Sequence, residues 1–579
     1  MRYYVGLATT FHDPALAIVG PDGTVLFAEA TERHLQYKRA PNCPADPAPR
    51  MASLLRRWVP EGAEVVVATS WGPDFTEFLG RSAASGGLGV PAISALSPEL
   101  NASFVPERSE RALVASLRLA QDGAGLGTLL GLDRAGGSRR FAGLRRYGHH
   151  LAHAAYACGS SPFADATCLV VDGMGETGSS GIYAFADGRL TELKRHRGRG
   201  SVGFFFGLVT DLAGFDQVAG EEWKIMGLAP YGSRDPELMS LLRRLYSTDG
   251  GRLSFAGSGT VRAVAAELAR RCPASAAEDG WADLARCGQD AFAEMMDALV
   301  AEARRLGGSE RLVLAGGCAL NSSYNGGVVG RHGVTALHVP SAPADDGNAI
   351  GAAWLAFAAD NPDARLPPGP LPAYLGSVVS TEPLERMTAW EPRLRRLGHE
   401  SVTDAAADLL AAGKLVGWVQ GRAEFGPRAL GNRSILADPR PADAKAILNA
   451  KVKYREAFRP FAPSVLAEAG PDWFEGYADS PYMERTLTWR AAVRDRVPAV
   501  VHADGTGRLQ SVTAERNGRY AELLRAFAAR TGVPILLNTS FNVMGKPILH
   551  TTEDAILMFY TTGLDAIVVE DWLLTKDPA

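Results

Sequence analysis

The sequence predicts an α/β protein of two domains, the first built from two similar lobes. Three observations carry this. At 579 residues the chain is too long for one ordinary core. A strand–loop–strand–turn–strand pattern occurs twice in its first half. A proline-rich stretch, "NPDARLPPGPLP" at 361–372, ends one helical pattern and a new pattern restarts beyond it. These set an expected division into residues 1–362 and 373–579. With 46% hydrophobic and 21% charged residues, the composition is that of a globular chain. The net charge of −4 gives no global pull toward nucleic acid or an anionic membrane.

The first pattern is "YYVGLATTFHDPALAIVGPDGTVLFAEA". Two apolar runs flank a polar loop, and Pro21-Asp22-Gly23 turns the chain into a third run, Val25–Ala30. The second is "CLVVDGMGETGSSGIYAFADGRLTELKR", with its turn at Asp187-Gly188. A repeat at so long a period implies two lobes rather than a solenoid. In each lobe the first loop offers backbone N–H groups that can grip phosphate oxygens. A third segment, "RLVLAGGCALNSS", is a buried strand entering Gly316-Gly317, followed by an expected helix containing Asn321. Glycine there lets backbone approach a nucleotide closely. Two lobes with facing phosphate loops resemble the actin-like ATPase superfamily (ASKHA, duplicated RNase H-like lobes).

The stretch "YGHHLAHAAYA" holds three of the chain's 11 histidines. His149 and His153 are four residues apart and share one face of a helix. Metal binding, acid–base work and a structural role are all open at that spacing. His150 points about 100° away from His149. Asp172 stands at a strand end, and Asp345 and Asp346 precede a helix starting near Gly347, where acids also serve as caps. Two histidines and two carboxylates suffice for Fe(II), Mn(II) or Zn(II). The zinc-peptidase motif His-Glu-x-x-His is absent, which removes that reaction's general base. The six cysteines are scattered and form no Cys-x-x-Cys pair. That pattern suits a reducing compartment. His12 and Asp13 interrupt the N-terminal apolar run, and no run reaches bilayer length, so a cytoplasmic location is expected.

Beyond the linker, 404–413 reads as a helix and 415–420 as a strand. Then come "GRAEFGPRALGNRSILADPR", "NAKVKYREAFRPFAPSV", "GRLQSVT" and "VPILLNTSFNVMGKPI". Their arginines sit among Gly, Pro, Phe and Leu, which is too apolar a setting for a solvated face. Arginine's planar fork suits phosphate, and several arginines in one pocket imply a multiply charged anion.

Taken in order, these motifs resemble the O-carbamoyltransferase family of antibiotic and nodulation type. That family fuses an actin-like transferase domain to a YrdC-like α/β twisted-sheet domain. By the resemblance, His149, His153, Asp172 and Asp345 ligate one metal, iron first, with Mn or Zn as alternatives. Lys38, Gly173, Gly175, Glu176, Gly316, Gly317 and Asn321 hold the nucleotide of a carbamoyl adenylate in the first domain. In the second domain, carbamoyl phosphate and ATP, as its Mg complex, meet Arg428, Lys453, Arg455, Arg459, Arg508, Asn538, Ser540 and Asn542. His12 is the expected base toward the acceptor hydroxyl, with Asp13 orienting it or touching the acceptor. The partners implied are carbamoyl phosphate, ATP and a hydroxylated small-molecule acceptor, without nucleic acid or membrane; a homodimer is allowed. One departure stands in "ATERHLQYKRAPN", where His34 replaces the family's aromatic residue and Lys38 falls at the matching basic position. The stretch from 75 to 145 carries no family motif. Three rival readings are a tRNA threonylcarbamoyl-type enzyme, a small-molecule kinase of actin-like fold, and a nucleotide-switched interaction protein without turnover.

Overall fold

The computed structural model describes residues 1–73, 75, 107–197, 200–249, 253–271, 281–366 and 369–576. Pro367 and Pro368 of the linker, Cys272, and 76–106 of the motif-free stretch lie outside the described residues. The other five cysteines are free. No helix among the described residues is long and apolar enough to cross a membrane. The chain forms two compact units. The first comprises Met1–Thr31, Arg39–Asn321 and Val328–Leu371; the second comprises Glu32–Lys38, Ser322–Gly327 and Pro372–Ala579. Two short stretches from the first 330 residues thus pack with the second unit, an arrangement a linear boundary does not anticipate.

In the first unit, β1 (Arg2–Ala8), β2 (Ala15–Val19), β3 (Val25–Ala30), β4 (Glu64–Ser70) and β5 (Arg140–Tyr147) form a sheet ordered β3-β2-β1-β4-β5. The β1/β2 and β2/β3 pairs are antiparallel, while β1/β4 and β4/β5 are parallel. The second lobe repeats this scheme. β6 (Asp165–Val171), β7 (Ser180–Ala186) and β8 (Arg189–Arg195) are followed by a small hairpin, β9 (Tyr246–Ser247) and β10 (Ser254–Phe255), then β11 (Arg311–Ala315) and β12 (Ala336–His338). The lobe's main sheet runs β12-β11-β6-β7-β8, antiparallel on the meander side and parallel on the other. Two sheets of identical order and sense are the duplicated RNase H-like arrangement read from the repeat. Strand β8 is an exposed, charged edge, which discourages pairing with another chain.

Each central strand is buried on both faces. Val5, Leu7, Leu16, Ile18, Val65 and Val67 pack on Met51, Leu54 and Leu55 of helix Ala48–Trp58. Helix Asn348–Asp360 packs on β1, β2 and β4 and against helix His149–Gly159. The last contact requires a glycine: a Cβ on Gly351 would lie 1.9 Å from the Ala152 carbonyl oxygen. This close crossing sets the N-terminal ends of the two helices, and the residues on them, side by side.

The second unit is one nine-stranded mixed sheet. Its strands are β13 (Leu394–Arg396), β14 (Val416–Val419), β15 (Arg433–Ala437), β16 (Ala462–Leu466), β17 (Arg485–Thr488), β18 (Thr506–Val512), β19 (Ile535–Ser540), β20 (Ala566–Val569) and β21 (Trp572–Thr575). They are ordered β13-β21-β20-β14-β15-β19-β16-β18-β17. Helices His399–Ala411 and Ala514–Thr531 pack on each other, and Trp418, Ile435, Leu524, Phe527, Leu537 and Phe541 share the core. The two borrowed stretches are tied in by backbone acceptors. Arg33 donates to the Gly426 carbonyl at 2.8 Å, Gln36 to Ile548 at 3.1 Å and Asn325 to Glu484 at 3.0 Å. The expected helix around Asn321 is a 3-10 turn, Gly317–Leu320, and the helix begins after it at Ser322.

Candidate functional site

His149 opens its helix and His153 lies one turn on; both are fully buried. Asp172 follows β6, and Asp345 opens the 3-10 turn that leads into helix Asn348–Asp360. Their donor atoms all lie within 4.8 Å of one another. His149 Nε2 is 3.0 Å from Asp172 Oδ2 and 3.4 Å from Asp345 Oδ1; His153 Nε2 is 3.6 Å and 3.3 Å from the same two atoms. Burial works against charge on His149, but Asp345 and Asp172 outweigh it and lift its pKa to about 10. Burial and Asp172 oppose ionisation of Asp345, yet the imidazoles hold it at about 2. His153 Nε2 is buried and makes no hydrogen bond among the described residues. An orphaned imidazole nitrogen facing two carboxylates, with a second imidazole beside it, is a donor set that fits a divalent first-row metal.

The surroundings brace these four residues. Trp71 stacks on the His149 ring at 4.2 Å. Asn348 lies 3.3 Å from His149 Nδ1, and its Oδ1 is otherwise unpartnered. Exchanging the amide's O and N lets Oδ1 accept from Nδ1–H, which leaves the Nε2 lone pair for a metal. The Gly317 N–H donates to Asp172 Oδ1 at 3.0 Å. Gly316, at φ 86°, passes so close to β6 that a Cβ would lie 2.2 Å from the Val171 oxygen. The glycine pair therefore orients Asp172 as well as lining the loop. The Glu176 carboxylate accepts from the backbone N–H of Gly72 at 2.9 Å and of His149 at 2.7 Å, capping the histidine helix. Gly173 is held by the Ser201 hydroxyl at 2.7 Å, and the Gly175 N–H bonds to Gly178. His150 packs against Gly175; burial and the charge of His149 push its pKa down to about 3, so it stays neutral and outside the donor set. Asp346 caps Gly347. Asn321 exchanges amide hydrogen bonds with Gln289 at 3.0 and 3.2 Å.

On the first loop, His12 Nδ1 is 2.8 Å from Asp13 Oδ2, and Asp13 is 3.2 Å from Arg39. The Asp13 N–H also donates to the Arg39 carbonyl at 2.7 Å. Glu222 faces this group: burial raises its pKa against the pull of Arg39 and His12. Lys38, expected at this unit's nucleotide site, clusters with the second unit and lies 3.4 Å from Glu32. Arg39, the next residue, is the cation beside Asp13. Four residues at 36, 39, 40 and 42 have positive φ, so the chain reverses here and a one-residue step changes which unit a side chain serves.

In the second unit, the expected arginines meet. Burial, then Arg428 and Arg455, push Arg508 well below the ordinary range. Arg455 is brought to about 9 by burial and Arg459, and Arg428 to about 10 by burial. Arg459 is 3.0 Å from Glu456, and Arg455 stacks on Phe461. Arg428 and Arg508 have no hydrogen-bond or ion-pair partner among the described residues. Lys453 is a strut: its buried ammonium donates to Ser540 and Asn542 at 2.5–3.2 Å and fixes that turn beside the arginines. Asn538 ties Ala429, Ser464 and Gln510 together at 3.0–3.1 Å, behind the loop that carries Arg428. Two further groups belong to this cluster and escaped the sequence: Lys445 feels Arg455, and His502 feels Arg508 and Lys445. Neither carries a motif; only Asp504-Gly505, a turn signal, stands near His502.

Residues 137–354 match the family description "Carbamoyltransferase N-terminus", and 407–576 match "Carbamoyltransferase C-terminus". The nodulation protein NolO of Bradyrhizobium diazoefficiens is 38% identical over 440 residues, covering 74% of this chain and 79% of that protein. The nodulation protein U of Sinorhizobium fredii is 32% identical over 448 residues, covering 72% and 76%. Among solved structures, component A of the Acidaminococcus fermentans (R)-2-hydroxyglutaryl-CoA dehydratase aligns with 62% of this chain and 100% of its own at 12% identity, with a TM-score of 0.32.

Proposed function

The chain belongs to the carbamoyltransferase family, and from that premise we propose that it is an ATP-dependent O-carbamoyltransferase working in two steps. The observation that carries this is the crowding of Arg428, Arg455, Arg459 and Arg508 in the second unit with two guanidiniums unpartnered. Such a cluster demands a multiply charged anion.

In the first step, carbamoyl phosphate loses its phosphate to water. The carbamate oxygen attacks the α-phosphorus of ATP, pyrophosphate leaves and carbamoyl adenylate forms. The arginines neutralise the phosphates, and the Lys453-braced turn positions Ser540 and Asn542 beside them. In the second step, the adenylate is held in the first unit. His149, His153, Asp172 and Asp345 would hold a metal, and a bound Fe(II), Mn(II) or Zn(II) supplies charge for the nucleotide phosphate. An acceptor hydroxyl attacks the carbamoyl carbon and AMP leaves. The hydroxyl proton goes to His12 Nε2, because Nδ1 faces Asp13. Arg39 fixes Asp13 from behind.

The acceptor is a hydroxyl of a small-molecule natural product; nodulation oligosaccharides are one such class. The test is pyrophosphate release with the purified chain. Release is expected only when carbamoyl phosphate and ATP are both present, and addition of the acceptor should yield a carbamate ester by mass spectrometry. Release from ATP alone, or none with both, refutes the first step.

A further inference from the structure

His502 lies at the start of the turn that precedes β18, six residues after the 3-10 turn Arg494–Arg496 and two residues after Pro498–Val500. Helix Ala444–Leu448, which carries Lys445, packs on Pro498–Val500. Arg508 follows on β18 itself. The imidazole therefore stands among the cations of the proposed donor site. Its tautomer follows from a short chain of hydrogen bonds. The Thr506 hydroxyl donates to Asp504 Oδ1 at 2.7 Å. Its oxygen is then free to accept, and His502 Nδ1 is 3.1 Å away. Nδ1 thus carries the proton and Nε2 the lone pair. That Nε2 is buried and has no hydrogen-bond partner among the described residues. Burial, Arg508 and Lys445 push the imidazole down to about 4, against Asp504, so it is neutral at neutral pH.

A bare acceptor among arginines is out of place for phosphate alone. Phosphate oxygens are acceptors too, and lone pair would face lone pair. The nitrogen calls for an N–H donor held within reach of a phosphate-binding arginine. In carbamoyl phosphate that donor is the amide, one bridging oxygen from the phosphorus. The adenine amino group of ATP is a full nucleoside away from the α-phosphate.

We infer that His502 Nε2 accepts a hydrogen bond from the carbamoyl NH2 group and so selects carbamoyl phosphate over acyl phosphates lacking that group. The inference rests on the second unit being the site of donor activation. A site built to bond a polar group rejects the analogue without it, because the buried partner is left unpaired.

The experiment is calorimetric binding to the full chain, with carbamoyl phosphate, acetyl phosphate, inorganic phosphate and ATP as probes, for wild type, His502→Leu and His502→Gln. Acetyl phosphate replaces the amide by a methyl of similar size. Wild type should prefer carbamoyl over acetyl phosphate by about 10- to 100-fold. H502L should lose that preference while binding inorganic phosphate and ATP within about twofold of wild type. H502Q keeps an acceptor and should recover part of the preference. Unchanged carbamoyl phosphate binding in H502L overturns the inference and leaves the donor-site reading standing. Equal loss of all four probes makes His502 a structural residue and also overturns it. Selective loss of ATP moves the contact to adenine and overturns it. If wild type binds neither carbamoyl phosphate nor inorganic phosphate, the donor-site reading itself fails.

Discussion

Removing a cation from the proposed donor site should stabilise the protein while abolishing its activity. Arg428 is half-buried, without a partner among the described residues, and pushed down by burial to about 10. A shift of that size corresponds to about 3 kcal/mol of disfavoured charge. Solvent still reaches part of the side chain and screens it, so about 1–2 kcal/mol is the expected release on Arg428→Met. Methionine keeps an unbranched apolar stem in place of the arginine methylenes. The assay is calorimetric unfolding of the full chain in phosphate-free buffer, with and without inorganic phosphate. A chain of two compact units can show more than one transition, so the transition to follow is the one that phosphate moves. Phosphate at 100 times its dissociation constant should add about 2.7 kcal/mol to wild type and much less to the variant. Pyrophosphate release should fall to background. A variant less stable than wild type without phosphate, or stabilised by phosphate to the same degree, would refute the claim that this cluster is an anion site held under strain.

Four other outcomes follow from the same geometry. His153→Ala or Asp345→Asn should leave the chain folded but unable to retain a metal through desalting, read by elemental analysis against a stoichiometric wild type loaded with Fe(II); retention by both variants would sink the donor set. Asn348→Ala should weaken metal binding by about 10- to 100-fold with pyrophosphate release unchanged, since it only orients the His149 ring. His12→Asn should slow carbamoyl transfer by about 100- to 10,000-fold, while pyrophosphate release continues; full transfer by the folded variant refutes the base. Buried Glu484 has its pKa raised from 4.5 to about 7, chiefly by burial. The folded form therefore holds its proton more tightly than the unfolded one, and stability is lost as pH rises from about 4.5 to about 7. Glu484→Gln keeps an acceptor for the Tyr482 N–H and the Ser480 hydroxyl. It should match wild type at pH 4 and exceed it by up to about 3 kcal/mol at pH 8 in urea unfolding.

Much of the first unit was legible because its signals are local. Alternating apolar runs and Asp-Gly turns specify a meander from within thirty residues, and both lobes fold as that pattern implies. The His149–His153 pair was legible for the same reason: spacing on a helix is a local property. Asp345 was different. Nothing in its neighbourhood separates it from Asp346, and as caps the two are equivalent. What separates them is a helix crossing at Gly351 and Ala152, nearly two hundred residues apart in sequence. Only the family resemblance selected Asp345 over Asp346. The placement of Lys38 was hidden for a related reason. A run of left-handed residues turns the chain between Gln36 and Asn42, so Arg39 joins the Asp13 loop while Lys38 leaves for the other unit. Arg39, Glu222, Lys445 and His502 were not singled out by any sequence pattern, and each acquires meaning only from what folds against it.

The two sites differ in how they balance charge, and this bears on how each is held without its ligand. In the first, two imidazoles raised by two carboxylates form a neutral set. A divalent metal binding there must displace the histidine protons, so empty and filled forms are both electrostatically satisfied. In the second, Arg459 is ion-paired with Glu456, and Arg428 and Arg508 have no partner among the described residues. No internal rearrangement of protons satisfies that set, because arginine does not give its proton up. The anion must come from outside. Under the proposed function, this difference in charge balance fits a resident ion in the first unit and a consumed substrate in the second.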